Sequence, residues 1–295
     1  MDVLAIFGPT GVGKTAVAAA VARRLAARGI NAVAVSADAI QVYRGLEVLS
    51  GVADARLQPQ LDTRLVSFLD LDTTFSAGAY AELAHAEIDR LRASGTVPIV
   101  VGGTGLYLRA ALTDLQLGPP PPAGLREALL AEYDERGGAA LHARLTMLDP
   151  TAAAAIAVND RQRVVRALEL AAIGHRPPPR ESSELWTAQT RVPTRLIGLT
   201  MERAALQARI DARVDAMVEA GAAEEVRRAD EAGASPTARK ALGFAELLAG
   251  DVPLMKLRTR QYAKRQMTWM RKLGGAQTID VTARSADDVA AEILP

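Results

Sequence analysis

Four stretches of the chain carry residue types at spacings that could do chemistry. The first is Gly8-Pro9-Thr10-Gly11-Val12-Gly13-Lys14-Thr15. It fits G-x-x-x-x-G-K-[ST], a loop whose backbone N–H groups curl around a polyphosphate. Glycine permits that curl, Lys14 supplies a mobile charge, and the Thr15 hydroxyl is a ligand for Mg²⁺. The second is Asp38, which closes the apolar run Ala32-Val33-Ala34-Val35-Ser36. Such an acid holds Mg²⁺ in a nucleotide hydrolase, or acts as a general base if no metal claims it. The third is Thr104 in Gly102-Gly103-Thr104-Gly105, a turn where glycine allows close approach and a hydroxyl can donate. The fourth is 256–272, with Lys256, Arg258, Arg260, Lys264, Arg265, Arg271 and Lys272, no acid, and the aromatics Tyr262 and Trp269. A basic helix bearing aromatics suits a phosphodiester backbone with exposed bases. Arg161, Arg163 and Arg166 form a second basic cluster, and two clusters point to a polyanion.

These residues need a scaffold, and the hydrophobic pattern supplies one. Val3-Leu-Ala-Ile-Phe7, Ala32–Ser36, Leu65–Leu69 and Val97–Val101 read as buried strands, alternating with helices over about Ala16–Ala27 and Ala77–Ala93. Alternation of this kind predicts a parallel sheet, and Asp38 falls beside the phosphate loop if its strand neighbours the first. The alternation ends near residue 113, before the proline run Pro119–Pro122. From there the pattern is helical: Leu125, Leu129 and Leu130 mark one helix, Leu141, Leu145 and Leu148 another, and Asn159 caps a third. After Pro177-Pro178-Pro179 a strand returns at Arg195–Leu199. Helices then follow over Glu202–Ala220, Ala222–Glu231, Ala238–Ala249 and Leu254–Lys272, with a last strand at Gln277–Val281 and a helix over 285–294. The expected fold is α/β, a P-loop NTPase-like parallel sheet flanked by helices with an all-helical insertion domain. Its divisions are 1–113 for the first part of the core, 114–194 for the insertion and 195–295 for the rest of the core.

Composition narrows the chemistry. The chain has 295 residues, 49% of them hydrophobic, enough for a substantial core. Without cysteine, disulfides and thiolate sites are excluded, and His85, His142 and His175 show no metal-ligand spacing. Thirty-five basic residues against 34 acidic ones leave a net charge of +1, so any affinity for nucleic acid must come from local clusters. The first strand begins by residue 3 and no apolar run reaches membrane-spanning length, so a cytoplasmic, monomeric protein with no membrane partner is expected.

The ordered motifs resemble the bacterial tRNA dimethylallyltransferases, the tRNA isopentenyltransferase (IPP transferase) family. They are Gly8-Pro9-Thr10 with Gly13-Lys14-Thr15; Ser36-Ala37-Asp38-Ala39-Ile40-Gln41-Val42-Tyr43-Arg44-Gly45; Val101-Gly102-Gly103-Thr104-Gly105-Leu106-Tyr107; and Asn159-Asp160-Arg161-Gln162-Arg163 with Arg166-Ala167-Leu168-Glu169. Gly243-Phe244 with Glu246-Leu247, and Thr259-Arg260-Gln261-Tyr262-Ala263-Lys264-Arg265-Gln266 with Thr268-Trp269, complete the series. The resemblance implies transfer of a dimethylallyl group from dimethylallyl diphosphate to N6 of the adenosine at position 37, beside the anticodon of tRNA. Asp38 is then the base, Thr104 steadies the reacting groups, and Lys14 with residues 8–15 and Mg²⁺ takes the diphosphate. The anticodon stem-loop would meet Asp38, Ala39, Ile40, Gln41, Thr104, Arg126, Gln162, Arg163, Val164, Val165 and Arg166, together with Arg260, Lys264 and Arg265 of the basic segment.

The chain departs from the family pattern in three places. Ser50-Gly51-Val52-Ala53-Asp54 stands for Gly-Thr-Ala-Lys-Pro, Thr63-Arg64 for His-His, and Ala245 for a basic residue. The competing readings are an adenylate isopentenyltransferase using free nucleotide, a P-loop kinase for a small metabolite, and a nucleic-acid-binding NTPase. The last would want an acid after the Val97–Val101 strand, where Gly102 stands.

Overall fold

The computed structural model describes residues 2–52, 61–176, 185 and 187–295. They form two compact units, one of Met1–Leu115 with Glu184–Pro295, the other of Gln116–Ser183.

The larger unit is built on six parallel strands: β1 (Val3–Phe7), β2 (Ala32–Ser36), β3 (Thr63–Arg64), β4 (Val97–Gly102), β5 (Thr194–Thr200) and β6 (Gln277–Asp280). Their order is β3-β2-β4-β1-β5-β6. All five residues of β1 are buried, as its unbroken apolar run requires of a strand covered on both faces. The helices are α1 (Lys14–Ala26), α2 (Glu47–Ser50), α3 (Ala77–Ala93) and α4 (Gly105–Leu112), all before residue 115. In Gln116–Ser183 lie α5 (Leu125–Leu148), α6 (Pro150–Ala155) and α7 (Arg161–Ala172). After residue 184 come α8 (Arg203–Glu219), α9 (Ala222–Glu231), α10 (Phe244–Leu248), α11 (Val252–Met270) and α12 (Ala286–Ile293). One apolar layer joins α1, α12 and one face of the sheet; another joins α3, α4 and the opposite face.

The sequence expectations need correction at several points. No strand forms over Leu65–Leu69: Leu65 and Ser67 take φ of 59° and 48°, which strand geometry forbids. That segment instead runs along residues 41–44, with Phe68 N–H donating to Val42 O at 2.8 Å. The helix expected over Ala238–Ala249 is broken by Gly243 at φ 98°, leaving a 3₁₀ turn at Ala238–Lys240 and then α10. Asp160, rather than Asn159, caps α7, its carboxylate accepting from Arg163 N–H at 3.2 Å. The two helices read over 125–148 meet at Gly137 (φ 80°, ψ 162°), which kinks α5. Ala53, Asp54 and Pro177–Pro179 lie outside the described residues. Among the described residues, no helix is long and apolar enough to cross a membrane.

Candidate active site

The carboxyl ends of three strands converge on one cavity of about 380 Å³. β1 delivers the Gly8–Thr15 loop, β2 delivers Asp38, and β4 delivers Gly102 and Gly103. Asp38 and the loop do not come from neighbouring strands, because β4 lies between β2 and β1. They share a cavity because the end of β4 carries no side chain. A Cβ on Gly102 would stand 2.2 Å from Ala37 O, and one on Gly103 would stand 2.3 Å from Gln266 Nε2.

The loop is curled as its glycines allow. Gly11 and Gly13 take φ of 81° and 101°, and α1 begins directly at Lys14. The amino end of that helix and the adjoining amides favour an anion. Lys14 Nζ donates to Gly8 O at 3.0 Å and to Pro9 O at 2.9 Å. Desolvation and the nearby Arg213 lower the Lys14 pKa to about 7, against the opposing pull of Asp38. Lys14 is thus a cation held in a place that disfavours its charge until an anion arrives.

Two arginines absent from the sequence reading complete this positive wall. Arg209 and Arg213, one turn apart on α8, both line the cavity. A Cβ on Gly13 would stand 3.3 Å from Arg209 Nη2, and one on Gly11 would stand 3.0 Å from Ile210 Cγ1, so α8 packs directly on the loop. The available signal was the i,i+4 pair of arginines on the helix that follows β5, visible only once β5 is known to flank β1.

Across the cavity, Asp38 Oδ1 accepts from Ile40 N–H at 2.9 Å, which fixes the carboxylate. Ser36 Oγ donates to Gln41 Oε1 at 2.7 Å, and Gln41 Nε2 donates to Ser50 O at 3.2 Å, so both residues serve the same wall. Thr104 opens α4, and its Oγ1 lies 3.4 Å from Tyr262 OH. Burial, with the charge of Asp38, pushes the Tyr262 phenol up to about 12 and keeps it neutral at physiological pH. Thr15 lines the cavity beside Lys14. Among the described residues, no cluster of three or more His, Asp or Glu could cage a metal. A hydroxyl without such a cage fits Mg²⁺, which keeps waters and is commonly held through phosphate oxygens.

The sequence pattern of the family described as IPP transferase matches residues 41–273. A tRNA dimethylallyltransferase of Anaeromyxobacter sp. (strain Fw109-5) is 41% identical, covering 98% of this chain and 98% of its own. The full-length tRNA isopentenylpyrophosphate transferase of Bacillus halodurans superposes with a TM-score of 0.69 at 32% identity, covering 99% of this chain and 94% of that one. The corresponding Staphylococcus epidermidis enzyme gives a TM-score of 0.68 at 29% identity, covering 99% and 97%. The chain belongs to the IPP transferase family.

In this IPP transferase the expected RNA-facing residues differ in their surroundings. Ala39 and Ile40 are half-buried on the loop after Asp38, next to the cavity. Val164 and Val165 are a correction: they are 0% and 3% exposed in the apolar core of Gln116–Ser183, so their side chains hold that unit together. Gln162 and Arg163, on the same helix, are turned outward, with Arg163 Nε 3.4 Å from Asp160. Arg126 and Arg166 grip the buried Glu169 carboxylate at 2.6 and 3.0 Å, and Arg166 also donates to the carbonyls of Leu117, Gly118 and Pro119.

The basic helix α11 is less uniform than its sequence. Lys256 pairs with Asp215, Arg258 with Glu246, and Arg260 with both oxygens of Asp211 at 3.1 and 2.8 Å. Lys264 and Arg265 are exposed, with the Arg265 guanidinium 5.5 Å from the centre of the Tyr262 ring. Of the family departures, Ser50, Gly51 and Thr63 line the cavity, Ala245 is exposed, and Arg64 pairs with Asp62 at 2.6 Å.

Proposed function

We propose that this IPP transferase moves a dimethylallyl group from dimethylallyl diphosphate to N6 of the adenosine at position 37 of tRNA. The observation that carries the reading is one cavity with Lys14, Thr15, Arg209 and Arg213 on one side and the Asp38 carboxylate facing them. The positive wall suits a leaving diphosphate, and the acid suits an amine that must lose a proton.

The bond from the allylic carbon to diphosphate breaks as the bond from that carbon to N6 forms. The electron pair leaves with the diphosphate, and the N6 proton passes to Asp38. Lys14, Arg209, Arg213 and the loop amides stabilise the charge growing on the leaving group, the kind of fixed electrostatic help that is worth most in a desolvated site. Thr15 is the residue that would hold Mg²⁺, which when bound neutralises part of the diphosphate charge. Base help from Asp38 is worth about 10²–10⁴-fold for so weak a nucleophile. The Thr104–Tyr262 pair keeps the acceptor adenine aligned.

Gln41, Arg126, Gln162, Arg163, Arg166, Arg260, Lys264 and Arg265 are the polar residues proposed to approach the anticodon stem-loop. The exposed Arg163, Lys264 and Arg265 carry the direct phosphate contacts, while Arg126 and Arg166 act chiefly by shaping their own unit. A monomer is taken as the working unit, and a tRNA acceptor supports a cytoplasmic setting. The test is mass spectrometry of tRNA nucleosides after incubation with enzyme, Mg²⁺ and dimethylallyl diphosphate. A mass gain of one dimethylallyl group on the adenosine beside the anticodon is expected. Prenylated AMP formed as efficiently as prenylated tRNA would transfer the assignment to the free-nucleotide reaction.

A further inference from the structure

Gln266 stands on the buried face of α11, in register with Met255, Thr259, Ala263 and Met270. It is 4% exposed, and it is the one amide side chain in that stripe. Its Oε1 accepts from Thr10 N–H, in the phosphate loop, at 2.8 Å. Its Nε2 donates to Gly103 O, in the turn before Thr104, at 2.9 Å. The amide orientation is dictated by the partners, since Thr10 N–H can only donate and Gly103 O can only accept. One side chain therefore ties the diphosphate loop to the turn carrying Thr104, two segments far apart in sequence. Gly103 leaves the room for it, because a Cβ there would stand 2.3 Å from Nε2. One turn earlier on the same helix, Tyr262 meets Thr104.

We propose that Gln266 is a positioning residue for the transfer: it sets the distance between the diphosphate cradle and the acceptor side of the cavity. The proposal rests on the transferase reading above. The reacting carbon must lie between a leaving group held by the Gly8–Thr15 loop and an amine held near Asp38 and Thr104. A displacement of about 1 Å between two such holders costs on the order of 100-fold in rate while leaving each holder able to bind. Gln266 thus governs turnover more than affinity.

The experiment compares wild type with Gln266→Ala and Gln266→Glu in prenylation of an anticodon stem-loop, well below the melting temperature of each protein. Gln266→Ala should lower kcat about 10- to 100-fold and leave KM for dimethylallyl diphosphate and RNA within about threefold. Gln266→Glu supplies a signature that a merely structural role would not. An ionised carboxylate repels Gly103 O, whereas a protonated carboxyl can accept from Thr10 N–H and donate to Gly103 O as the amide does. The ratio of variant to wild-type kcat should therefore rise about tenfold or more from pH 8 to pH 5.5. Lys14, Asp38, Arg209, Arg213 and Tyr262 also face this cavity, and they are common to both proteins, so the ratio isolates position 266.

A pH-independent ratio, an unchanged kcat in Gln266→Ala, or a loss expressed only in donor KM overturns the proposal. So does failure of both variants to fold, which would make the amide a requirement of the fold. An inactive wild type defeats the transferase reading and this inference with it, whereas an active wild type matched by both variants removes only the role of Gln266.

Discussion

Lys14 and Glu169 are both ionisable groups enclosed by protein, and their surroundings treat them in opposite ways. Around Lys14, desolvation and the like charge of Arg213 drive the pKa down to about 7, and its hydrogen bonds go to the carbonyls of Gly8 and Pro9. Around Glu169, burial pushes the carboxyl up, but hydrogen bonds from Arg126 and Arg166 outweigh it and hold the group below the ordinary carboxylate range. One charge is left under-compensated and the other is fully met. The first arrangement awaits a ligand; the second fastens a small helical unit. The same contrast separates Arg209, which leans on the phosphate loop, from Arg260, which is tied to Asp211.

The largest effect should come from the acid that faces the under-compensated side. Asp38→Asn should cut single-turnover transfer about 10²–10⁴-fold and leave tRNA affinity within a few-fold. Transfer within threefold of wild type would show that another group takes the proton.

Lys14→Ala should lower kcat/KM about 10²–10³-fold, the usual cost of removing one donor to developing negative charge. The low pKa also has a sign that can be measured. The empty enzyme holds Lys14 protonated only below about pH 7, and a bound diphosphate restores the charge. Donor binding near pH 8 should therefore take up a proton, and affinity should fall by up to about tenfold per pH unit above 7. By the same linkage this lysine's contribution to the stability of the empty enzyme is full above its ordinary value of 10.5 and lost as pH falls through about 7. Calorimetry of a non-reactive donor analogue in buffers of different ionisation enthalpy reads the uptake directly, and Lys14→Ala should abolish it. Uptake unchanged in that variant would assign the proton elsewhere.

Glu169→Gln tests the other half of the contrast. It leaves two guanidinium groups around a neutral amide and should destabilise the 116–183 unit by about 1–3 kcal/mol, since the arginines are partly solvated and screened. Hydrogen exchange in α5 and α7 would show it, and unchanged protection would mean that the triad is dispensable. The smallest effects belong to exposed cations. Arg163→Ala or Arg265→Ala should weaken tRNA binding a few-fold and reduce the salt slope by about 0.7–0.9, one phosphate contact each, without touching donor affinity. A slope equal to that of wild type would place the residue away from phosphate.

Much of the site was legible because its signals are local. The Gly8–Thr15 motif needs only eight neighbouring residues, and Asp38 and Thr104 follow apolar runs whose ends can be read directly. What escaped depends on pairings between distant segments. No local pattern says that β4 inserts between β2 and β1, and without that order the Gly102-Gly103 turn permits a close approach without saying that the space is kept clear for Gln266. Arg209 and Arg213 carry no local mark of a site, and their place in the cavity follows only once β5 is set against β1. Val164 and Val165 show the reverse error: motif resemblance made them RNA contacts, while their apolar side chains had already assigned them to a core. In α11 the sequence displayed charge but not its partners, because Asp211 and Asp215 lie on a different helix.

The register of β1 carries a consequence for synthesis. Val3 lies beside Thr194, so the strand that launches the phosphate loop gains its second neighbour only after Thr194 of 295 residues has been made. Until then one edge of β1 has no partner, while the helices of the 116–183 segment pair with one another and need nothing from β5. Such delayed long-range pairing is slow and prone to off-pathway association. Gln266, which closes the cavity, comes later still. A nascent chain therefore carries its most recognisable motif well before it acquires the means to use it.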